Sequence, residues 1–169
     1  MDVAKELDFS FWKDFRDIAY GTKEDVLLIS EIFGDTSQWL QGDRFDGTMN
    51  YSFRETMTDY FATKRINDKE FADSLANLYS MYSFEALSSC QNLLSSHDVK
   101  RFLNRSGNNE DSILGAIFLQ TTFPGIAGIY YGDEVGLGGA DDPFNREPFP
   151  CNDQSSWNIT ILDFTKTMI

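Results

Sequence analysis

Histidine is nearly missing from this 169-residue chain. The single one, His97, stands beside Asp98 at the end of the stretch NLLSSHD. Cysteine is scarce too. Cys90 and Cys151 do not form a paired metal motif, and two thiols do not make a disulfide framework. The expectation is two free, partly buried thiols in a reducing, cytoplasmic compartment. Basic residues are outnumbered: 14 Lys and Arg face 27 Asp and Glu, a formal net charge of −13. Phosphate backbones and anionic membrane surfaces would be repelled, so neither nucleic acid nor membrane is an expected partner. A neutral polyol such as a sugar is not repelled. No apolar run is long enough to span a bilayer. The opening MDVAKELDFSFW has no signal-peptide organisation, and there is no internal repeat or low-complexity tract.

What is present is apolar and aromatic. Hydrophobic residues make up 41% and aromatics 15%, enough for the core of one ordinary domain. FSFWKDFRDIAY (9–20) reads as an amphipathic helix, with Phe11, Trp12, Phe15, Ile18 and Ala19 at helical spacing and Gly21 as its stop. VLLISEIF (26–33) is a continuous apolar run, as in a strand covered on both faces. RFDGTMNYSF (44–53) is a weaker strand. Residues 52–63 and 68–88 read as helices, the second presenting Phe71, Leu75, Leu78, Tyr79 and Tyr82. NLLSSHD is the next strand, 110–122 a helix with Ile113, Leu114, Ile117 and Phe118 inward, and GIAGIYYGDE (125–134) another apolar strand. A Gly-, Asp- and Pro-rich loop follows, and WNITILDFTKTMI closes as a helix. Strands alternating with helices predict βαβ units and a parallel sheet, in which function gathers at the carboxyl ends of the strands. Glu31, the pair His97–Asp98, and the pair Asp133–Glu134 fall at such ends, and Asp2 precedes the first helix where another strand would end.

A carboxylate inside an apolar strand is costly unless it is paired or functional. Burial of Glu31 would raise its pKa and suit it to general-acid work. With a second, ionised carboxylate roughly 5 Å away as nucleophile, the pair would be the equipment of a retaining glycosidase. For Glu31 or Asp98 taken singly, a structural ion pair or a solvated strand end is the better explanation.

Four stretches together decide between these readings. MDVAKELDFSFW, LLISEIFGDTSQWLQGDRFDGTMNYSF, NLLSSHDVKRFL and PGIAGIYYGDEVGLGGADDPFNREPFP resemble, in order and spacing, the α-amylase family of glycoside hydrolases, nearest its neopullulanase and cyclomaltodextrinase branch. The resemblance implies an α/β fold of the (β/α)8 TIM-barrel type, with residues 1–169 running from the end of strand four through helix eight. It implies Asp2 as nucleophile, Glu31 as acid/base, Asp98 as transition-state stabiliser and His97 as a sugar-hydroxyl contact. Lys5 and Glu6 fall where +1-side contacts lie, and their Lys-Glu pairing mixes two subfamily patterns. Trp39 is a sugar-stacking platform or a packed loop aromatic. Asn50 and Tyr51 line the cleft or serve the structure, and Arg146 belongs to a loop that reaches the rim. Tyr130 and Tyr131 read as packing, Asp133 and Glu134 as caps or an Arg pair, and Asp141–Asp142 as a solvated loop rather than a calcium site. No cofactor is expected.

Against that family, the first three strands, the Arg two residues before the nucleophile, the Asn-His motif of strand three and the C-terminal β-sandwich would all lie outside these residues. About the second half of a barrel would then expose a sheet edge and an apolar interior. The expectation is pairing with itself or with the missing half, and weak or absent turnover of α-glucosidic bonds by this chain alone. The alternative is a catalytically silent carbohydrate-binding or assembly module.

Overall fold

The computed structural model describes all of residues 1–169. After a short turn at Ala4–Glu6 comes helix α1, Phe9–Thr22. Trp12 is buried on it, with Phe15, Ala19 and Tyr20 packed alongside. These positions follow the i, i+3, i+7 stripe, which leaves Phe11 and Ile18 exposed rather than on the buried face. Arg16 Nη1 and the Tyr20 hydroxyl both donate to Asp46 Oδ1 at 2.8 Å, and the other oxygen of Asp46 accepts the Leu28 N–H at 2.7 Å. One half-buried carboxylate therefore ties α1 to the sheet.

The strands are shorter than the apolar runs that announce them. They are β1, Ile29–Ser30, and β2, Gly47–Asn50. Within 26–33 only two residues enter the ladder. The Leu28 N–H is taken by the Asp46 side chain, and Leu27 and Phe33 are exposed, so this run is not covered on both faces. Met1 lies alongside β1: its amino group donates to the Ile29 carbonyl at 2.7 Å, and its carbonyl accepts the Glu31 N–H at 2.9 Å. Gly47 is required by close approach. A Cβ there would lie 2.1 Å from the Ser89 carbonyl oxygen.

Asn50 caps helix α2, Tyr51–Met57, accepting the Phe53 N–H at 3.1 Å, and the helix loosens into a π turn over Thr58–Ala62. Asn67 and Glu70 form a reciprocal capping box at the start of α3, Asp68–Met81. The single helix expected over 68–88 is two. Tyr82 is extended, its hydroxyl bonded to Thr36, and Ser83 caps a fresh helix α4, Phe84–Ser89. Then follow β3, Gln91–Leu93; α5, Phe102–Arg105; α6, Glu110–Thr122; β4, Ile126–Gly128; and α7, Ile159–Met168. On α6 the buried stripe is Ile113, Ala116, Ile117 and Gln120, while Phe118 faces out. Gln120 Nε2 donates to the carbonyls of Asn92 and Gly128 at 3.1 and 2.9 Å, bonding the helix to β3 and β4.

The four strands are all parallel and adjacent in chain order, β1-β2-β3-β4. One apolar cluster, around Trp12, Ile32, Phe45 and Leu87, packs α1 and α4 on the sheet. A second, around Phe53, Met57, Phe102, Ile113 and Ile161, packs α2, α5, α6 and α7. At an edge of the sheet, β4 has Ile126 and Ala127 exposed, so the apolar strand expected over 125–134 is an open one of three residues.

Candidate active site

Glu31 follows β1 directly, whereas His97 and Asp98 lie four and five residues beyond the end of β3. Strand pairing stops at Leu93, and an isolated bridge between Ser96 and Val99 folds the intervening segment into a tight turn that presents both side chains. The pair is therefore carried by a turn, not by a buried strand end. Glu31 is half-buried at the sheet edge, not enclosed in an apolar strand as its neighbours suggested.

Polar atoms of Glu31, His97 and Asp98 all lie within 4.8 Å of one another. His97 Nε2 is 3.3 Å from Asp98 Oδ1. The buried Tyr51 hydroxyl stands 3.4 Å from Glu31 Oε1 and 3.2 Å from Ser96 Oγ, and Ser96 Oγ accepts the Asp98 N–H at 3.2 Å. Burial first, then the nearby Glu31 and Asp98 charges, push the Tyr51 phenol up to about 12 against a hydrogen bond from Ser96. Tyr51 is thus a neutral donor throughout the working pH range.

Asp2 joins the group across a cleft of about 210 Å3 lined by Asp2, Lys5, Glu6, Glu31, Phe33 and Asp98. That is below the roughly 300–1,000 Å3 of enclosed small-molecule sites, because Asp2, Val3 and Glu6 on one side are exposed. Asp2 Oδ1 accepts the Val3 N–H at 2.6 Å. Val3 has φ of 49°, left-handed for a β-branched residue, a strain of order 1–3 kcal/mol of the kind that collects at functional sites. Lys5 Nζ donates to the Phe33 carbonyl at 2.8 Å.

Arg146 reaches the same cluster from the loop after β4. Its Nη2 lies 3.6 Å from Asp98 Oδ1 and 2.8 Å from Asp142 Oδ2, and its Nε donates to the His97 carbonyl at 3.1 Å. Asn145 is buried and adds a 2.8 Å bond to that carbonyl. Two expected contacts are placed elsewhere. Trp39 packs edge-on to Phe9 at 4.6 Å within the α1 cluster, so it is a packed loop aromatic and not a platform beside Glu31. Asn50 is 1% exposed, spent on capping α2 and on a 2.9 Å bond to Asn92, so it does not line the cleft. Phe33 is the aromatic that does. It is 46% exposed and stacked on Tyr51 with ring centroids 3.8 Å apart. Its signal in the sequence is its place two residues after Glu31, the spacing that returns to one side of an extended chain.

Asp133 forms the expected Arg pair, with Arg101 Nη1 at 3.2 Å. Cys90 is buried and Cys151 is exposed, so the expectation of two partly buried thiols is corrected. Calcium prefers six to eight oxygen ligands, and the cluster of two carboxylates and an imidazole beside Arg146 is a poor match for it.

Parallel strands backed by helices, with carboxylates and an imidazole converging beyond their carboxyl ends, define an α/β fold with its candidate site where barrel-type folds carry theirs. The model of the alpha-amylase catalytic domain matches residues 3–161. The chain is 40% identical over its full length to neopullulanase 2 of Thermoactinomyces vulgaris and 36% identical to a cyclomaltodextrinase of Thermoanaerobacter pseudethanolicus, spanning 29% of each. Among solved structures, the cyclic α-maltosyl-(1→6)-maltose hydrolase of Arthrobacter globiformis superposes with a TM-score of 0.95 at 35% identity, over 99% of this chain and 38% of that one. The chain belongs to the alpha-amylase family, within its catalytic domain. It spans under a third of the length of these curated relatives. No helix is long and apolar enough to cross a membrane.

Proposed function

We propose that these residues form part of a retaining glycoside hydrolase acting on α-glucosidic bonds of starch-type oligosaccharides or cyclodextrins, corresponding to the barrel from the end of strand four through helix eight. The observation that carries this is convergence. Asp2, Glu31 and Asp98, from three distant segments, line one cleft. The relatives' names, neopullulanase and cyclomaltodextrinase, and a relative solved in complex with maltose support the substrate class.

In this reading Asp2 attacks the anomeric carbon while Glu31 gives its proton to the departing glycosidic oxygen. A covalent glycosyl-enzyme forms. Glu31, now a carboxylate, takes a proton from water, which displaces Asp2 and releases the sugar. If a second sugar replaces water, the product is a transglycosylated one. Asp98 and His97 bind the hydroxyls of the reacting ring and favour its positive transition state, Lys5 and Glu6 face the leaving sugar, and Arg146 holds the rim. The chemistry uses side chains alone, without metal or cofactor, and the cytoplasm is the proposed compartment.

Asp2 lies outside the tight Glu31–His97–Asp98 group, on an exposed segment. Catalysis needs near-attack geometry, so slow turnover by the 169 residues is expected. The same observation favours a second reading, a carbohydrate-binding or assembly module without turnover. Release of 4-nitrophenol from 4-nitrophenyl α-maltoside separates the two. A rate above background that Glu31→Gln and Asp2→Asn abolish supports the hydrolase. Saturable maltose binding with equal background rates in all three supports the module. Neither turnover nor binding would remove both.

A further inference from the structure

Arg101 is the largest fully buried side chain and carries a charge. Nη1 donates to the Tyr131 carbonyl at 2.8 Å and to Asp133 Oδ1 at 3.2 Å, and its own backbone N–H donates to the Gly139 carbonyl at 3.2 Å. Nε and Nη2 have no hydrogen-bond partner. The guanidinium instead lies over two rings, 4.6 Å from the Tyr130 centroid and 4.9 Å from that of Tyr131. Asp133 is also engaged by Ser95, whose oxygen accepts the Phe102 N–H at 2.9 Å. The pair thus fastens both ends of the turn 95–101, which carries His97 and Asp98, to the segment that leaves β4.

That segment then returns to the turn. A Cβ on Gly139 would lie 3.1 Å from Arg101 Cδ and 2.9 Å from Asn145 Cα, so the two halves meet there with no space between them. A few residues on, Asn145 holds the carbonyls of His97 and Val99 at 2.8 and 3.0 Å, and Arg146 holds His97 and Asp98. A buried charged pair adds little stability over apolar replacements of similar volume. Its specific contribution here is geometric, since the loop it anchors is the one that touches the site.

We infer that Arg101, through its buried pair with Asp133, is a positioning residue that sets the orientation of His97 and Asp98 by fixing the loop bearing Asn145 and Arg146. The inference deepens the sugar-site reading and rests on it for its consequence in catalysis, but its geometry is testable without sugar. The only imidazole in the chain gives one Cε1–H resonance. This is followed in the 169-residue protein, in Arg101→Lys, and in Arg101→Met combined with Asp133→Leu, which removes both charges and keeps volume. Variants that retain wild-type helical circular dichroism are expected to show a displaced or broadened His97 resonance, and a maltose-induced shift that is lost or weakened. A folded variant with the wild-type resonance would show the pair to be merely structural and overturn the inference. A resonance that moves with the variants but never responds to maltose would keep the positioning role and remove the sugar-site reading. Should no variant fold, hydrogen exchange in the unaltered protein decides. The amides of Val99, Arg101 and Leu137 are expected to open together, and independent opening of the turn and the loop would overturn the inference.

Discussion

Glu31 directly follows β1 and Tyr51 directly follows its parallel neighbour β2, and the phenol of one meets the carboxylate of the other at 3.4 Å. Because Tyr51 also meets Ser96 Oγ at 3.2 Å, a continuous line of hydrogen bonds runs from Glu31 to the Asp98 backbone. Tyr51→Phe keeps the ring and its stack on Phe33 and removes only the donor. Hydrogen bonds to charged groups are worth about 1.5–3 kcal/mol. At 3.4 Å the low end applies, so kcat/KM on 4-nitrophenyl α-maltoside should fall about tenfold, with the melting midpoint little changed. An unchanged rate would mean that Tyr51 does not serve Glu31.

Phe33 and Trp39 should separate cleanly. Phe33→Ala removes the exposed ring from the cleft and should weaken maltose binding by several-fold, at a stability cost of about 0.5–1.5 kcal/mol from its lost stack on Tyr51. Trp39→Ala should do the reverse. It leaves a gap beside Phe9 and Phe45 and costs about 2 kcal/mol, less than the ~3–5 of a fully buried aromatic, with maltose affinity retained. Calorimetry on both variants tests the assignment. If Trp39→Ala abolished binding and Phe33→Ala did not, the expected platform would be restored.

The parallel sheet was legible from strands alternating with helices, and α6 and α7 from apolar residues at helical spacing behind Asn caps at 109 and 158, whereas α1 showed only its stripe and runs one residue past its expected stop at Gly21. Strand lengths were not legible. An apolar run records burial, whereas pairing is set by which N–H finds which carbonyl, and Asp46 intercepts one that VLLISEIF offered to the ladder. The break at Tyr82 depends on Thr36, 46 residues away. In the site, Glu31, His97 and Asp98 were visible as polar groups at strand ends. Phe33 was legible only by its spacing from Glu31, while the packing of Trp39 on Phe9 and Phe45 is announced by nothing in its own segment. Arg101 drew no reading from the sequence, because nothing local marks it for complete burial.

Cys90 and Cys151 should differ sharply towards thiol reagents. Cys90 is fully buried, and burial pushes its thiol up to about 11, so almost no thiolate is present at pH 8. Cys151 is exposed on the loop before α7. A maleimide at neutral pH should modify one thiol rapidly, with Cys151→Ser abolishing that fast phase. Cys90 should react only at the rate of unfolding, or at once in denaturant. Rapid double labelling of the native protein would mean that the cluster around Trp12 and Phe45 is open.

The buried Asp133 should write a slope into the stability–pH curve. Burial raises its carboxyl to about 6, against the lowering influence of Ser95 and Arg101. The unfolded value is about 3.9, so between these values the native state binds more protons than the unfolded chain. The linkage sign is then negative: this residue's contribution is fully present below about pH 4 and is lost as pH rises through about 6. Asp133→Asn keeps the shape of the neutral carboxyl and removes the titration. The melting midpoint of the wild type should rise relative to that of the variant from pH 7 towards pH 4, because only the wild-type residue gains a proton on folding there. Parallel curves between pH 4 and 7, at constant ionic strength, would show that the Asp133 carboxyl titrates alike in the folded and unfolded chain.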